Sequence, residues 1–346
     1  MSGRCARVVL AVVVAAASLG LSACGGESEA SGAAPAVVRL GYFPNLTHAT
    51  AIVADKEGFF SKHLGATKLQ VSTFNAGPSA MEALKSGAID ATYVGPGPAT
   101  NAFINSQGQA LTVVAGAATG GTSLVVDPSI GNASDLRGKK VSTPQLGNTQ
   151  DIALRYWLKQ HGLKTDLQGG GEVNVVPQDN AQIVDAFKQK LIAGAWVPEP
   201  YATRLVQAGG KVLVDERDLW PQKKFAITVL AVRTDFLKAH PEQVKALLAG
   251  DLDATDLIAK DPAKAQQDVA DLIAKISGKP LKPAVIAAAW KQIEFTVDPV
   301  PSSLLTGAQH AYQVGVLKEA PKLDGLVDLS LLNQLLKARG RAEIAP

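Results

Sequence analysis

The chain has 346 residues, with 34 Lys plus Arg against 31 Asp plus Glu and only two cysteines. The formal charge of +3 and the scattering of basic among acidic residues exclude the basic patch that nucleic-acid binding requires. Because this length exceeds what one hydrophobic core usually organises, we expect two domains.

The N-terminal segment predicts export. Arg4 and Arg7 precede an apolar run at 8–19, followed by small residues, which is the layout of a secretory signal peptide. That run is shorter than the roughly 20 residues a membrane-spanning helix needs. The stretch Leu-Ser-Ala-Cys at 21–24 resembles the lipobox of bacterial lipoproteins, which are cleaved before the cysteine and lipidated on its sulfur. We therefore predict a lipoprotein signal peptide at 1–23 and lipidation of Cys24; ordinary cleavage leaving a free thiol is the alternative.

Removal of this segment takes Cys5 with it and leaves Cys24 as the one cysteine of the mature chain. A single cysteine excludes an intramolecular disulfide, a cysteine-based metal site and a catalytic thiol in the folded domains. Residues 24–36 contain no large apolar side chain, so we predict a flexible tether after the lipidated cysteine. No apolar run of 18 or more residues follows, and we expect no further membrane span.

From residue 37 onward, short apolar runs alternate with amphipathic helical patterns, which is typical of an α/β fold with largely parallel sheets. The predicted strands are 37–42, 69–74, 91–94, 111–115, 124–126, 140–142, 173–176, 194–197, 212–214 and 227–232. The clearest predicted helices are 79–86, 149–160 and 182–190. Beyond Pro241 apolar residues recur at helical spacing, including Trp290 and Ile293, so we expect a helical C-terminal third.

Most predicted strands are followed by a turn rich in Gly, Pro, Asn, Ser or Thr and then by a helix start. Such strand ends line one edge of an open α/β sheet, where ligands bind. Free N–H groups at helix starts also suit anions, although the same turns occur for backbone reasons alone. The candidate ligand-binding residues in these loops are Phe43, Asn45, Thr47, His48, Gly77, Pro78, Ser79, Gly95, Pro96, Gly97, Thr119, Gly121, Thr122, Gln145, Gly147, Asn148, Thr149, Trp196 and Glu199.

Several of these candidates have two interpretations. Asn148 and Thr149 either cap the helix at 149–160 or donate hydrogen bonds to a ligand oxyanion, and both can hold together. His48 is expected to line the site as a donor. Trp196 forms either a cleft wall or part of a core. Glu199 either offsets a helix dipole or pairs with the ammonium of a taurine-like zwitterion.

Five blocks of the sequence resemble the solute-binding proteins of ABC transporters for sulfonates, taurine and nitrate, whose fold also includes thiamine-pyrimidine binders. The blocks are RLGYFPNLTHA (39–49), ADKEGFF (54–60), FNAGPSAMEALKSGAIDATYVGPGPA (74–99), GKKVSTPQLGNTQDIALRYWL (138–158) and AWVPEPYA (195–202). The resemblance implies a two-lobed periplasmic-binding-protein fold of type 2, each lobe a mixed, mostly parallel sheet flanked by helices. Lobe I would be 37–122 plus 233–346 and lobe II 123–232, with two hinge crossovers near Val125 and Leu230.

The same resemblance implies an extracytoplasmic receptor of an ABC importer, without catalysis, metal or cofactor. It would close on a small organic anion, an aliphatic sulfonate or a taurine-like molecule, and deliver it to a permease and its ATPase. Nitrate and a thiamine-pyrimidine precursor are the alternative ligands. We expect a monomer, held at the outer face of the cell membrane by the lipid on Cys24.

An enzyme is the alternative from another class. Asn45-Leu46-Thr47-His48 matches an Asn-x-x-His pattern of the related thiamine-pyrimidine synthases, but those enzymes share a cysteine-rich stretch that is missing here. The sequence also contains no G-x-S-x-G, Walker lysine or H-E-x-x-H motif. We therefore favour a receptor over an enzyme.

Overall fold

The structure, a computed structural model, describes residues 35–345. The predicted signal peptide, Cys24 and all but the last two residues of the predicted tether lie outside the described residues. The described residues, 35–345, belong to one compact unit. No helix within 35–345 is both long and apolar enough to cross a membrane.

Strands and helices alternate as the apolar runs predict. The strands are β1 Val37–Tyr42, β2 Lys68–Thr73, β3 Ala91–Val94, β4 Leu111–Gly120, β5 Thr122–Val126, β6 Lys140–Thr143, β7 Asn174–Pro177, β8 Gly194–Pro198, β9 Lys211–Asp215, β10 Ala226–Arg233 and β11 Ile293–Phe295. The helices are α1 Ala49–Lys56, α2 Phe59–Leu64, α3 Gly77–Lys85, α4 Pro96–Asn105, α5 Thr149–Gln160, α6 Asn180–Lys188, α7 Tyr201–Gln207, α8 Thr234–Ala239, α9 Pro241–Lys260, α10 Pro262–Ser277, α11 Pro283–Trp290, α12 Pro301–Gln313 and α13 Ser330–Ala338. All ten predicted strands and the helical C-terminal third are present.

Two sheets organise these elements. The first sheet has the order β11-β4-β10-β3-β1-β2 and the second has the order β7-β6-β8-β5-β9. We call the first sheet with α1–α4, α8–α10, α12 and α13 the first-sheet half, and the second sheet with α5–α7 the second-sheet half. Both sheets are mixed, as predicted. Parallel pairing is confined to β1 with β2 and β3 and to β6 with β7 and β8, so it is less frequent than expected.

The antiparallel pairings lie where the chain passes between the sheets. β4 and β10 pair antiparallel in the first sheet, and β5 pairs antiparallel with β8 and β9 in the second. The chain enters the second sheet at Gly120 and Gly121, whose φ angles of 72° and 70° lie in the left-handed region that favours glycine. It returns through residues 216–225. β10, which the predicted boundary at 232 assigned to lobe II, pairs with β3 and β4 in the first sheet.

One strand was not predicted. The helical spacing predicts a helix through Trp290 and Ile293, but α11 ends at Trp290 and residues 293–295 pair antiparallel with Ala118–Gly120 of β4. Three residues are too few for strand alternation to be visible in a sequence. The pairing gives backbone partners to the end of β4, and this requirement decides the local structure.

Candidate functional site

A small cavity lies where the carboxyl ends of strands from both sheets meet. Its volume is about 20 Å³, and we call it the polar cavity. Its lining residues are Phe43, Asn45, Thr47, His48, Asn75, Gly95 and Ile227 from the first-sheet half and Asn148, Thr149, Gln150, Asn180 and Pro198 from the second-sheet half. None of them is Asp, Glu, Lys or Arg. The cavity therefore offers neutral hydrogen-bonding groups from both halves at the edge where α/β sheets bind ligands.

His48 contributes a neutral ring with a defined tautomer. Its side chain is 2% exposed, it stacks on Phe43 with ring centroids 4.3 Å apart, and its Nδ1 accepts the backbone N–H of Phe43 at 3.2 Å. Burial lowers the pKa of His48 to about 3, because desolvation disfavours the charged ring. A neutral ring whose Nδ1 accepts carries its proton on Nε2. His48 is therefore a hydrogen-bond donor at the cavity.

Asn148 and Thr149 at the start of α5 reach across to the first-sheet half. Asn148 Oδ1 accepts the N–H of Gly77 at 3.4 Å, and Thr149 Oγ1 accepts the N–H of Gly97 at 3.2 Å. The side chain of Asn148 makes no capping hydrogen bond to its own helix. Its Nδ2 donates to Gln150 Oε1 at 2.7 Å. The two residues thus hold the two halves together beside the cavity, which is more than helix capping.

Glycines permit this close approach. A Cβ added at Gly95 would lie 2.4 Å from Thr149 Oγ1, and one added at Gly97 would lie 2.8 Å from Ile152 Cδ1. Both distances are shorter than real Cβ contacts, so any side chain at these positions would push the halves apart. The glycines of the Gly-Pro-Gly-Pro loop are therefore required by packing between the halves.

Asn180 belongs to the site, although it is not among the candidates predicted from the sequence. Its side chain is 8% exposed, it begins α6, and its Oδ1 has no hydrogen-bond partner among residues 35–345. The signal was present, because Asn180 follows the end of β7 in the same strand-to-helix arrangement as the other candidates. The predicted helix began at residue 182, two residues too late. Asn75, Gln150, Pro198 and Ile227 were also missed.

The other predicted site residues do not line the polar cavity, although Pro96 and Gly97 line a second cavity described below. Ser79 Oγ donates to Gln145 Oε1 at 3.5 Å between the halves. Gly147, which precedes α5, donates its N–H to Oδ2 of Asp151 in the first turn of that helix at 3.0 Å. Pro78 and Pro96 lie at the starts of α3 and α4. Thr119, Gly121 and Thr122 lie where the chain crosses from β4 to β5.

Trp196 is a core residue, so its prediction as a cleft wall is wrong. It is fully buried, packs edge-on against Trp157 at 6.3 Å between centroids, and donates Nε1–H to Glu216 Oε2 at 2.7 Å. Successive side chains of a strand alternate between the two faces of its sheet, and that of Trp196 faces the core of the second-sheet half.

Glu199 also does not line the cavity. Its side chain is 3% exposed, and its carboxylate accepts the backbone N–H and the hydroxyl of Thr203, both at 3.0 Å. Burial raises the pKa of Glu199, and the hydrogen bonds from Thr203 oppose that shift. The helix-start interpretation therefore accounts for Glu199, and the interpretation as an ammonium partner does not.

A second, more apolar cavity adjoins the first and shares Thr149 with it. Its volume is about 30 Å³, and we call it the aromatic cavity. Trp220 and Phe225 stack in its wall at 5.2 Å, and His310 and Glu216 also line it. Glu216 is 2% exposed and accepts Nε1–H groups from Trp196 at 2.7 Å and Trp220 at 3.4 Å.

Glu216 is the carboxyl group among the lining residues of the aromatic cavity. Burial raises the pKa of Glu216 to about 7, against the opposing effect of its indole hydrogen bonds. A group at that pKa responds strongly to a neighbouring cation, which would stabilise its charged form. Within residues 35–345 no group of three or more His, Cys, Asp or Glu side chains is placed to hold a metal ion.

Comparison with known proteins identifies relatives over most of the chain. The model of the NMT1-like family matches residues 31–274. The taurine-binding periplasmic protein of Escherichia coli K12 is 30% identical over 233 residues, which cover 66% of this chain and 70% of that protein.

Two solved structures share the fold. The alkanesulfonate-binding protein SsuA from Xanthomonas axonopodis pv. citri, bound to MOPS, aligns with a TM-score of 0.69 and 20% identity, covering 86% of this chain and 99% of that one. The periplasmic nitrate-binding protein NrtA from Synechocystis PCC 6803 aligns with a TM-score of 0.75 and 18% identity, covering 88% of this chain and 89% of that one.

Proposed function

This chain belongs to the NMT1-like family, and from that membership and the polar cavity we propose that it is the extracytoplasmic solute-binding component of an ABC importer. The observation that carries the proposal is the meeting of strand ends from both sheets around one cavity lined by neutral donors and acceptors. Such a site binds a solute between two halves, and a membrane permease with its ATPase would receive it. The named relatives bind solutes, which favours transport over catalysis.

The ligand we propose is a small organic anion, an aliphatic sulfonate or a taurine-like molecule. The polar cavity has no lining carboxylate, and His48 Nε2–H and the side-chain N–H groups of Asn148 and Asn180 can donate to oxygen atoms of an anion. The taurine-binding relative and the alkanesulfonate-binding neighbour support this class. The oxyanion would occupy the polar cavity, and the rest of the molecule would extend into the aromatic cavity.

The polar cavity is too small for an organic sulfonate unless the two halves of the protein move apart. A volume of about 20 Å³ holds about one water molecule, so an organic sulfonate enters only if the halves separate. We propose that they rotate about the two chain crossings, at Gly120–Gly121 and at 216–225, and close again on the ligand. The lobes of that motion would be about 37–122 plus 233–346 and 123–232, except that residues 226–232 of β10 would move with the first lobe, because they pair with β3 and β4.

Nitrate is a second candidate ligand, which the small volume of the polar cavity favours. A planar inorganic anion would need less opening than a sulfonate, and the nitrate-binding structural neighbour has the same fold. A nitrate receptor would not need the aromatic cavity.

A thermal-shift screen of residues 33–346 tests the function. The panel is taurine, ethanesulfonate, MOPS, nitrate and a neutral aminopyrimidine. A ligand at 100 times its Kd stabilises a folded protein by about 2.7 kcal/mol, which such a screen detects. We expect stabilisation by a sulfonate. Stabilisation by the pyrimidine alone would instead favour a thiamine-precursor receptor.

We further propose that the protein acts as a monomer anchored to the outer face of the cell membrane through a lipid on Cys24. Firm anchoring would need more than one acyl chain, because a single chain binds a membrane only marginally. The variant Cys24→Ser should be released into the medium or remain uncleaved. If it stays processed and bound to the membrane, the anchor is elsewhere.

A further inference from the structure

We propose that α5 and α12 form a closure seam between the two halves, and that its outer end, the stack of Tyr156 on His310, slows ligand release and makes that release faster in acid. The seam is defined by Ile152, Tyr156 and Lys159 on α5 and by Ala308, Ala311, His310 and Gln313 on α12. The inference rests on the proposed function, because a seam matters only if the halves close on a ligand.

The inner end of the seam starts at the ligand site. Thr149 lines both cavities, and Ile152, one turn further along α5, packs in a buried apolar cluster with Ala308 and Ala311 of α12. Residues three or four apart lie on the same face of a helix, so one face of α5 runs from the cavities into this cluster. α5 belongs to the second-sheet half and α12 to the first-sheet half, so the cluster crosses between them.

The outer end is held by two further contacts. Tyr156, one turn beyond Ile152, stacks on His310 with ring centroids 3.6 Å apart and an angle of 12° between the planes. Lys159 Nζ donates to the backbone carbonyl of Gln313 at 2.6 Å, at the C-terminal end of α12 where a cation is favourable. Tyr156 and Lys159 line neither the polar nor the aromatic cavity, so they act on a ligand only through the position of α5.

Separation of the halves would break these contacts together. A ligand leaves only after α5 moves away from α12, so the seam raises the barrier to ligand dissociation. It has little effect on the rate of ligand association. Most affinity differences of this kind appear in the dissociation rate. An aromatic stack contributes enough that its loss should speed release by about two- to tenfold.

Acid should weaken the seam through His310. Burial in the stack lowers the pKa of His310 from its ordinary 6.5 to about 4, so the closed form disfavours the protonated ring. Opening exposes the ring and restores its ordinary pKa, and protons therefore favour the open form as pH falls from about 6.5 towards 4. Full exposure on opening would shift the balance between the forms by up to about thirtyfold at pH 5.

The groups that surround His310 do not reverse the direction of this pH effect, in which protonation favours the open form. Tyr156 of α5 contacts His310 through its ring, and the Lys159 ammonium donates to the carbonyl of Gln313. Glu216 lines the same cavity as His310, but its pKa of about 7 keeps it mostly protonated at pH 5. It therefore does not neutralise a protonated His310 at that pH.

A distance measurement without ligand tests the seam directly. Residues 33–346 contain no cysteine, so Lys85→Cys and Lys188→Cys give one spin label on an exposed position of each half. At pH 7.5 Tyr156→Ala should add a longer distance population, whereas Tyr156→Phe, which keeps the stack, should not. Tyr312→Ala is the matched control, because Tyr312 is 45% exposed on the same helix α12. An unchanged distribution in Tyr156→Ala would overturn the seam.

The acid effect has its own readout. The parent pair should gain the longer population between pH 7.5 and pH 5, and His310→Gln should lose that dependence while Glu216→Gln keeps it. Equal pH dependence in the parent and in His310→Gln would overturn the role of His310. Stopped-flow release of taurine then measures the kinetic effect. Failure of the unmodified protein to bind taurine or any other member of the panel would count against the proposed function and leave the distance test standing.

Discussion

The substitution Gly95→Ala tests closure of the two halves by adding a single methyl group between them. The backbone of Gly95 has φ −70° and ψ 149°, which alanine adopts without strain, so the effect must come from the added methyl group. That methyl would lie 2.4 Å from Thr149 Oγ1 in the opposite half and 3.6 Å from the Ile227 carbonyl. Forcing an extra methyl group into a packed contact costs about 1–3 kcal/mol. Affinity for the bound anion should therefore fall by roughly five- to 150-fold.

The double variant Gly95→Ala, Thr149→Ala supplies the decisive comparison. Removing Oγ1 leaves the new methyl 3.4 Å from the β-carbon of residue 149, which is an ordinary contact. The double variant loses the hydrogen bond from Gly97 N–H, which contributes about 0.5–1.5 kcal/mol, so binding should recover only in part. Isothermal titration calorimetry measures the affinities of the wild type, the two single variants and the double variant. Gly131→Ala is the control, because its added methyl group would make only an ordinary contact outside the site. Wild-type affinity in Gly95→Ala, or no recovery in the double variant, would refute the reasoning.

Three further predictions concern single side chains. Asn148→Ala should weaken binding of an anion by about 1.5–3 kcal/mol, or roughly ten- to hundredfold in a calorimetric titration, because it removes a charge-assisted hydrogen bond. Because Glu216 lines the aromatic cavity, we expect its carboxylate to pair with the ammonium of a taurine-like ligand. Glu216→Gln should therefore weaken taurine binding much more than ethanesulfonate binding, whereas Glu199→Gln should not distinguish the two; equal losses for both ligands in Glu216→Gln would exclude that pairing. Burial raises the pKa of Asp251 from 3.8 to about 7, so its contribution to stability is fully present below 3.8 and is lost as pH rises through 7. Asp251→Asn should therefore gain in Tm relative to the wild type between pH 4 and pH 8, and a constant difference would show that Asp251 does not titrate.

The fold was predictable because the strands carry their own signal. β4 and β10 are buried along nearly their whole lengths and appear in the sequence as continuous apolar runs bounded by turns. β11 carries no such signal, since its three residues owe their conformation to the end of β4, far away in sequence.

The site was predictable only in part. Loop composition located Asn148 and Thr149 at the cavity, because strand ends of α/β sheets gather at one edge. It did not reveal which way a side chain at a strand end points, and Trp196 points into the core. Nor did it reveal that Glu199 is satisfied by Thr203 four residues later. Contacts such as Tyr156 with His310 depend on how two distant helices meet, which no local pattern records.

The central claim is that this protein binds one small anion between its two sheets. Calorimetric titration of residues 33–346 with ethanesulfonate, taurine and nitrate, on the wild type and on Asn148→Ala, tests it most directly. We predict binding of at least one of these anions at one per chain, with affinity lowered roughly ten- to hundredfold in Asn148→Ala. Absence of binding by all three anions, or equal affinity in the variant, would contradict it.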